Sequence, residues 1–222
     1  MNYILHLETS TKACSVAISL DGELIALKEE LNEEFSHSEK LTLFIQDVIQ
    51  EVKITLKDLK AVSVASGPGS YTGLRIGVST AKGLCYALEI PLISVDALFS
   101  LATIAKNKHH NINLCALIDA RRMEVFSSIY NSDLNVLKPI SADIIDESTY
   151  SAYEPFVYFG DGAEKLKDLW KNNNCTIDSS IYSSAIGQIP LATEKFTKKE
   201  FEDVAYFEPF YLKDFMIAKK PQ

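Results

Sequence analysis

The chain has 222 residues, of which 47% are apolar and 23% are charged, and its formal net charge is −8. This length and composition are typical of one large or two small globular domains, and the acidic balance argues against a general nucleic-acid binder. The four cysteines form no C-x-x-C pair, which indicates a reduced, cytoplasmic protein. No signal peptide or membrane-spanning run is recognisable, so we expect no membrane association.

Hydrophobic periodicity predicts a regular series of elements in the first half. In chain order they are strands at 3–7, 13–20 and 23–31, a helix at 36–52, a strand at 61–65, a glycine-rich loop, a helix at 74–88, a strand at 92–95 and a helix at 97–104. Ser36 and Glu39 have the spacing of a capping box at the start of the first helix.

The second half repeats this plan. Its predicted elements are strands at 113–119, 123–130 and 135–138, a weak helix at 141–150, a strand at 155–159, a glycine turn at 160–162, a helix at 163–170, and a helix at 184–196 that Pro190 interrupts. The repeated order predicts a duplicated unit. A polar bridge at 106–111 predicts an N-terminal lobe over 1–105 and a C-terminal lobe over 106–222, and the extreme C-terminal tail is a candidate to pack back on the N-terminal lobe.

The segment 66–77 carries most of the functional information. A glycine-rich turn between a strand and a helix can gather backbone N–H groups around an anion, or admit another backbone. Its glycines Gly67, Gly69 and Gly73 give G-x-G-x-x-x-G, which fits neither a P-loop nor a Rossmann loop nor a nucleophile elbow. A nucleotide or anion site, with Ser70 of the loop and with Glu8 and Thr9 of the first hairpin, stays open.

The segment SGPGSYTGLRIGVSTAKGL at 66–84 closely resembles the signature of the bacterial TsaB (YeaZ) family. Further stretches that resemble the family are the first hairpin at 4–17, the helix start at 37–41, DARRMEVF at 119–126, and 160–163 and 209–212. That family supplies the dimerisation subunit of the complex that forms threonylcarbamoyladenosine in tRNA.

The resemblance implies an α/β, two-lobed fold like that of actin, sugar kinases and heat-shock ATPases, with duplicated βββαβα units. It also implies a non-catalytic subunit that binds and activates a TsaD-like threonylcarbamoyltransferase. A TsaE-like P-loop ATPase would be a third partner, and the isolated chain would be a homodimer. Transfer RNA would meet the chain only indirectly, through the complex. No cofactor of its own is implied, although ATP or ADP could bind at the junction with the partner.

Two departures from related catalytic proteins argue against a catalytic or metal site. Glu8 stands where the superfamily usually has an aspartate, and the extra methylene displaces the carboxylate. His37 and Leu41 occupy the positions where the TsaD subunit has two metal-binding histidines, and one imidazole does not make a metal site. The family's old glycoprotease label needs that histidine pair, so we do not expect protease activity.

The resemblance and the apolar arcs of two helices predict a partner or dimer surface. It comprises His37, Leu41, Phe44, Ile45 and Val48 on the first helix, and Tyr71, Thr72, Gly73, Arg75, Ile76, Gly77, Thr80 and Leu84 on the second. A bulky residue at Gly73 or Gly77 is expected to weaken association while the monomer stays folded. The alternative is that both helices only cover the core.

Three further possibilities stay open. Arg75, Arg121 and Arg122 are candidates for cross-subunit or phosphate contacts, or else are solvated charges. The chain could be a small metal- or ATP-dependent transferase or hydrolase that uses Glu8, Thr9 and the glycine loop. It could also be a general nucleotide-binding module, which ATP or ADP would stabilise against heat.

Overall fold

Two five-stranded sheets organise the chain, whose computed structural model describes residues 1–31 and 37–213. The first sheet has the order β3-β2-β1-β4-β5 and the second has the order β10-β9-β6-β7-β8. The strands are β1 Tyr3–Glu8, β2 Ala13–Leu20, β3 Glu23–Leu31, β4 Leu59–Gly67, β5 Leu92–Asp96, β6 Asn113–Asp119, β7 Glu124–Tyr130, β8 Val136–Ile144, β9 Phe156–Phe159 and β10 Cys175–Asp178. The α-helices are α1 His37–Val52, α2 Tyr71–Leu88, α3 Ala97–Lys106 and α4 Ile189–Lys198.

The duplicated α/β architecture is confirmed by the strand pairing. In each sheet the first strand is central, the second and third strands pair antiparallel beside it, and the fourth and fifth strands pair parallel on its other side. Parallel pairing requires crossover connections, which α1 and α2 supply in the first sheet.

The second unit lacks the two predicted helices at 141–150 and 163–170, so those predictions are wrong. β8 continues to Ile144, and the connections on either side of β9 consist of turns and the short 3₁₀ helices Ser151–Tyr153 and Glu164–Leu166. Aromatic side chains, and not a helix, cover the second sheet there. The ring of Trp170 packs edge-to-face on those of Tyr150, Phe156 and Tyr158, at centroid distances of 5.8, 5.7 and 5.1 Å. Tertiary contacts thus override a weak helical preference.

Helices cover both faces of the first sheet. α1 and α2 bury Leu41, Val48 and Val78 against one face. α3 lies between the two sheets, since Leu98 and Leu101 join a core that includes Ala65 of the first sheet and Leu114 of the second. The described part of the chain contains no helix long and apolar enough to cross a membrane.

The C-terminal region returns to the first sheet. A 3₁₀ helix at Ala185–Gln188 leads into α4, whose first turn accommodates Pro190. Lys195 Nζ donates to the carbonyl oxygen of Ser94 at 2.8 Å, and Phe210 N donates to that of Ser66 at 2.7 Å. The boundary between the lobes at 105 and 106 stays a prediction. The cap at Ser36 and the tail at 214–222 lie outside the described residues.

Candidate functional site

The glycine loop lies against the turn between β1 and β2. Ser70 N donates to the carbonyl oxygen of Ser10 at 2.6 Å. A Cβ atom would lie 2.2 Å from the carbonyl oxygen of Ser10 if built on Gly69, and 2.1 Å from that of Thr9 if built on Gly73. The glycines therefore let two backbone segments of the same chain meet, which is one of the two roles that the sequence left open.

The same close approach continues along α2. A Cβ atom on Gly77 would lie 2.2 Å from Oγ1 of Thr9. The expectation that a bulky residue at Gly73 or Gly77 leaves the monomer folded is therefore wrong, because either side chain would collide with the hairpin. Ser70 caps α2 by accepting a hydrogen bond from Gly73 N at 3.2 Å.

The segment around Phe210 closes the other side of the loop. Gly67 has a φ of +110°, and a Cβ atom built on it would lie 2.6 Å from the carbonyl oxygen of Phe210. The loop thus lies between the β1–β2 turn and the segment around Phe210. These contacts explain Gly67 and Gly69 without a ligand, and an anion site formed with Ser70 stays a prediction.

The second lobe repeats this arrangement. A Cβ atom on Gly160 would lie 2.2 Å from the carbonyl oxygen of Leu117, and one on Gly162 would lie 3.0 Å from the carbonyl carbon of Ile118. In both lobes, therefore, a glycine turn after the fourth strand closes on the end of the first strand. The duplication extends from strand order to loop contacts.

The side chain of Glu8 is buried. Its side chain is 1% exposed, and its Oε1 accepts hydrogen bonds from Ser10 N at 2.8 Å and Ser10 Oγ at 2.6 Å. Gln188 Nε2 lies 3.4 Å from Oε2. Burial raises the pKa of Glu8, although these hydrogen bonds oppose the shift. A carboxyl group so enclosed cannot reach a metal ion or a phosphate in solvent.

A chain of buried polar groups extends from this carboxyl group across the sheet. Ser63 Oγ donates to Gln188 Oε1 at 2.7 Å, so it accepts from Nδ1 of His6, also at 2.7 Å. Nε2 of His6 then accepts from Ser19 Oγ at 2.8 Å. Burial lowers the pKa of His6 to about 3, so the imidazole is neutral. Sequence reasoning missed this network, because nothing in the local pattern links Gln188 to β1 and β4.

His37 is a buried structural residue. Its Nε2–H donates to the carbonyl oxygen of Ala13 at 3.1 Å, and burial lowers its pKa. Within residues 1–31 and 37–213, no group of three or more histidine, cysteine, aspartate or glutamate residues could hold a metal ion.

The predicted partner surface divides into a buried set and an accessible set. The buried members belong to the core of the subunit, and they are His37, Leu41, Ile45, Val48, Gly73 and Gly77. The other members are partly or fully accessible, and they are Phe44, Tyr71, Thr72, Arg75, Ile76, Thr80 and Leu84. The accessible members lie on two helices that contact one another, so they can form one continuous surface.

Gly83 adds an unforeseen member to this surface. It is exposed in α2, and a Cβ atom built on it would have no neighbour within 4 Å. Glycine inside a helix costs about 1 kcal/mol relative to alanine, and no contact within the subunit accounts for it. Gly83 lies seven residues after Ile76, so both are on the same side of α2.

Aromatic groups flank the start of α2. The guanidinium carbon of Arg75 lies 4.9 Å from the ring centroid of Tyr71, and that ring lies 4.7 Å from the ring of Tyr211. These contacts fix Arg75 beside the glycine loop and leave it exposed.

Comparison with known proteins agrees with this architecture. Residues 33–214 match the family model described as TsaD, tRNA N6-adenosine threonylcarbamoyltransferase. A relative in Escherichia coli, named tRNA threonylcarbamoyladenosine biosynthesis protein TsaB, is 32% identical over 98% of this chain and 97% of its own. The Haemophilus influenzae protein of the same name is 28% identical over 98% of this chain and 96% of its own.

A solved structure gives the same result. YeaZ from Pseudomonas aeruginosa superimposes with a TM-score of 0.81 at 26% identity, over 96% of this chain and all of that one. The similarity of sequence and fold over nearly the full length, with the glycine loop included, shows that the chain belongs to the TsaB (YeaZ) family.

Proposed function

We propose that this chain is a non-catalytic subunit required for threonylcarbamoyladenosine formation in tRNA. It binds a TsaD-type threonylcarbamoyltransferase through the exposed face of α1 and α2 and holds that subunit in its active arrangement. A TsaE-type P-loop ATPase joins the same assembly. The isolated chain forms a homodimer through the same face, and ATP or ADP binds only at the junction between subunits.

The surface of α1 and α2 is the observation that carries this proposal. Phe44, Ile76 and Leu84 are apolar and only half-buried, and Gly83 leaves room for a close helix. These side chains pack partly on the core and leave part of their apolar surface accessible, which a partner helix could cover. Family membership supports the identity of the partner, since the relatives carry the name of the modification pathway.

The buried position of Glu8 supports the non-catalytic role. A group that acts on phosphate or metal must be reachable, whereas Glu8 is 1% exposed and hydrogen-bonded to Ser10. Glu8, at the hairpin position where the superfamily usually carries an aspartate, is therefore a buried residue that a substrate or metal ion in solvent does not reach.

Replacement of Gly83 tests the surface without damage to the fold. Gly83 is exposed and a Cβ atom built on it has no neighbour within 4 Å, so Gly83→Arg should leave the monomer folded, while association with the TsaD-type subunit of the same organism should fall by at least tenfold. Thr197→Arg, at an exposed position of α4, is the matched control. Isothermal titration calorimetry measures the association, and reconstituted tRNA modification measures its consequence.

Two results would contradict the proposal. One is equal binding of the TsaD-type subunit by wild-type protein and Gly83→Arg. The other is tRNA modification by the TsaD-type and TsaE-type proteins at full rate without this chain.

A further inference from the structure

The turn between β6 and β7 presents two neighbouring guanidinium groups to solvent. Arg121, Arg122 and Met123 are all exposed. Both arginines have positive φ angles, 71° and 51°, in a turn closed by the hydrogen bond from Ala120 N to the carbonyl oxygen of Glu124 at 3.1 Å. Asparagine and glycine adopt this conformation readily, whereas other residues incur strain. Asparagine or glycine would therefore suit the backbone at these two positions better than arginine does, and stability of the fold does not explain the two arginines.

The carboxylates around this turn already have other cationic partners. Lys165 Nζ pairs with Asp119, and Lys213 Nζ pairs with Glu124. Asp161 accepts a hydrogen bond from Asp119 N at 3.0 Å and lies within electrostatic range of Lys12.

Within the described ranges, no carboxylate pairs with the side chain of Arg121 or Arg122. Among the described residues, therefore, the two guanidinium groups of this turn have no carboxylate partner, in a chain whose formal net charge is −8.

Guanidinium groups without a counter-charge suit an oxyanion that another molecule supplies. A planar guanidinium binds two phosphate oxygens at once. The turn is an exposed hairpin end and not a groove, and this shape suits a nucleic-acid backbone better than a small ligand, which needs enclosure. The relatives belong to a tRNA modification pathway, so a polyphosphate backbone is the anion that such an assembly handles.

We infer that Arg121 and Arg122 contact the phosphate backbone of tRNA directly when this subunit is part of its complex. This inference rests on the proposed function and departs from the expectation that tRNA meets the chain only through its partner. The contact contributes affinity and orientation and does not read the sequence of the tRNA.

The test compares three double variants in the complex with the TsaD-type subunit. Arg121→Asn with Arg122→Gly removes both guanidiniums and relieves the backbone strain, so the melting temperature should hold or rise. Arg121→Lys with Arg122→Lys keeps the charge. Lys57→Gln with Lys60→Gln removes two exposed charges from the first lobe and is the control.

We expect the Asn/Gly variant to bind tRNA at least threefold more weakly at low salt. The slope of log affinity against log salt should become shallower by about 1.4 to 1.8, because each phosphate contact contributes about 0.7 to 0.9. The Lys/Lys variant should keep most of the slope, and the control should match wild type in tRNA binding.

Equal tRNA affinity and slope for wild type and the Asn/Gly variant would overturn the inference. Loss of binding to the TsaD-type subunit by that variant would also overturn it, since the turn would then be a protein contact. If the wild-type chain failed to bind the TsaD-type subunit, the proposed function would fall. Titration of tRNA onto the isolated chain would then test the phosphate contact by itself. Weaker binding by the Asn/Gly variant than by wild type would support the contact, and equal binding would overturn it.

Discussion

The hydroxyl group of Thr9 donates a hydrogen bond to the carbonyl oxygen of Gly73 at 2.8 Å, and a Cβ atom on Gly73 would lie 2.1 Å from the carbonyl oxygen of Thr9. Thr9 follows the last residue of β1, and Gly73 lies in the first turn of α2. This pair therefore fixes the helix to the sheet from within the subunit. The exposed face of α2 takes its position from that contact.

Replacement of Gly73 by alanine should destabilise the protein. The added methyl group collides with backbone atoms of Thr9, which cannot rotate away as a side chain would, so we expect a loss of about 1 to 3 kcal/mol in the free energy of unfolding. Gly83→Ala is the control in the same helix, and it should stabilise by about 1 kcal/mol because that site is open. Urea denaturation followed by circular dichroism measures both, and effects of the same sign would contradict the packing described.

Removal of the Thr9 hydroxyl group should weaken the attachment of α2 by a smaller amount. Thr9→Val keeps the shape and loses the hydrogen bond to Gly73, so the free energy of unfolding should fall by about 1 kcal/mol. Thr72→Val, at an exposed position in the same turn, should have little effect. Hydrogen exchange at the amides of α2 provides a local measurement, and unchanged protection in Thr9→Val would argue against this coupling.

Sequence reasoning succeeded where the signal was local. Strand alternation and the glycine segment predicted the first unit closely, because β1 to α3 follow ordinary periodicity and capping. The sequence wrongly predicted helices at 141–150 and 163–170. There the backbone conformation depends on the pairing of β8 with β7 and on the aromatic contacts of Trp170. Sequence reasoning also missed the bond between Ser63 and Gln188, since the fold alone brings together residues so distant in sequence.

The ionisation of Glu8 should make stability depend on pH in a specific direction. Burial raises its pKa in the folded protein above the usual 4.5. The folded state therefore binds the proton more tightly than the unfolded state, and wild-type stability falls as pH rises above about 4.5 toward the folded pKa. Glu8→Gln lacks this loss, so its stability relative to wild type should improve as pH rises above about 4.5.

Chemical denaturation of Glu8→Gln and wild type at several pH values measures this difference. Glu39→Gln, at an exposed position of α1, serves as the control and should show no such trend. A constant difference between Glu8→Gln and wild type over the whole range would mean that Glu8 has the same pKa in both states.

Asp143 should produce the opposite pH dependence in the second lobe. Burial opposes its ionisation, but Lys138 at 2.8 Å and the hydroxyl groups of Ser127 at 2.6 Å and Tyr150 at 2.5 Å outweigh that effect and lower its pKa to about 2. A depressed folded pKa stabilises the protein above the unfolded pKa of 3.8, and this contribution is lost as pH falls through about 2.

Asp143→Asn should therefore be less stable than wild type at neutral pH, and the deficit should shrink as pH falls from about 5 to about 2. The side chain links β8 to β7, so the deficit should appear as faster hydrogen exchange along β8. Asp133→Asn, in the exposed turn between the same strands, is the matched control and should leave both measurements unchanged. A deficit that stayed constant down to pH 2 would show that Asp143 stabilises β8 through shape or neutral hydrogen bonds and not through its charge.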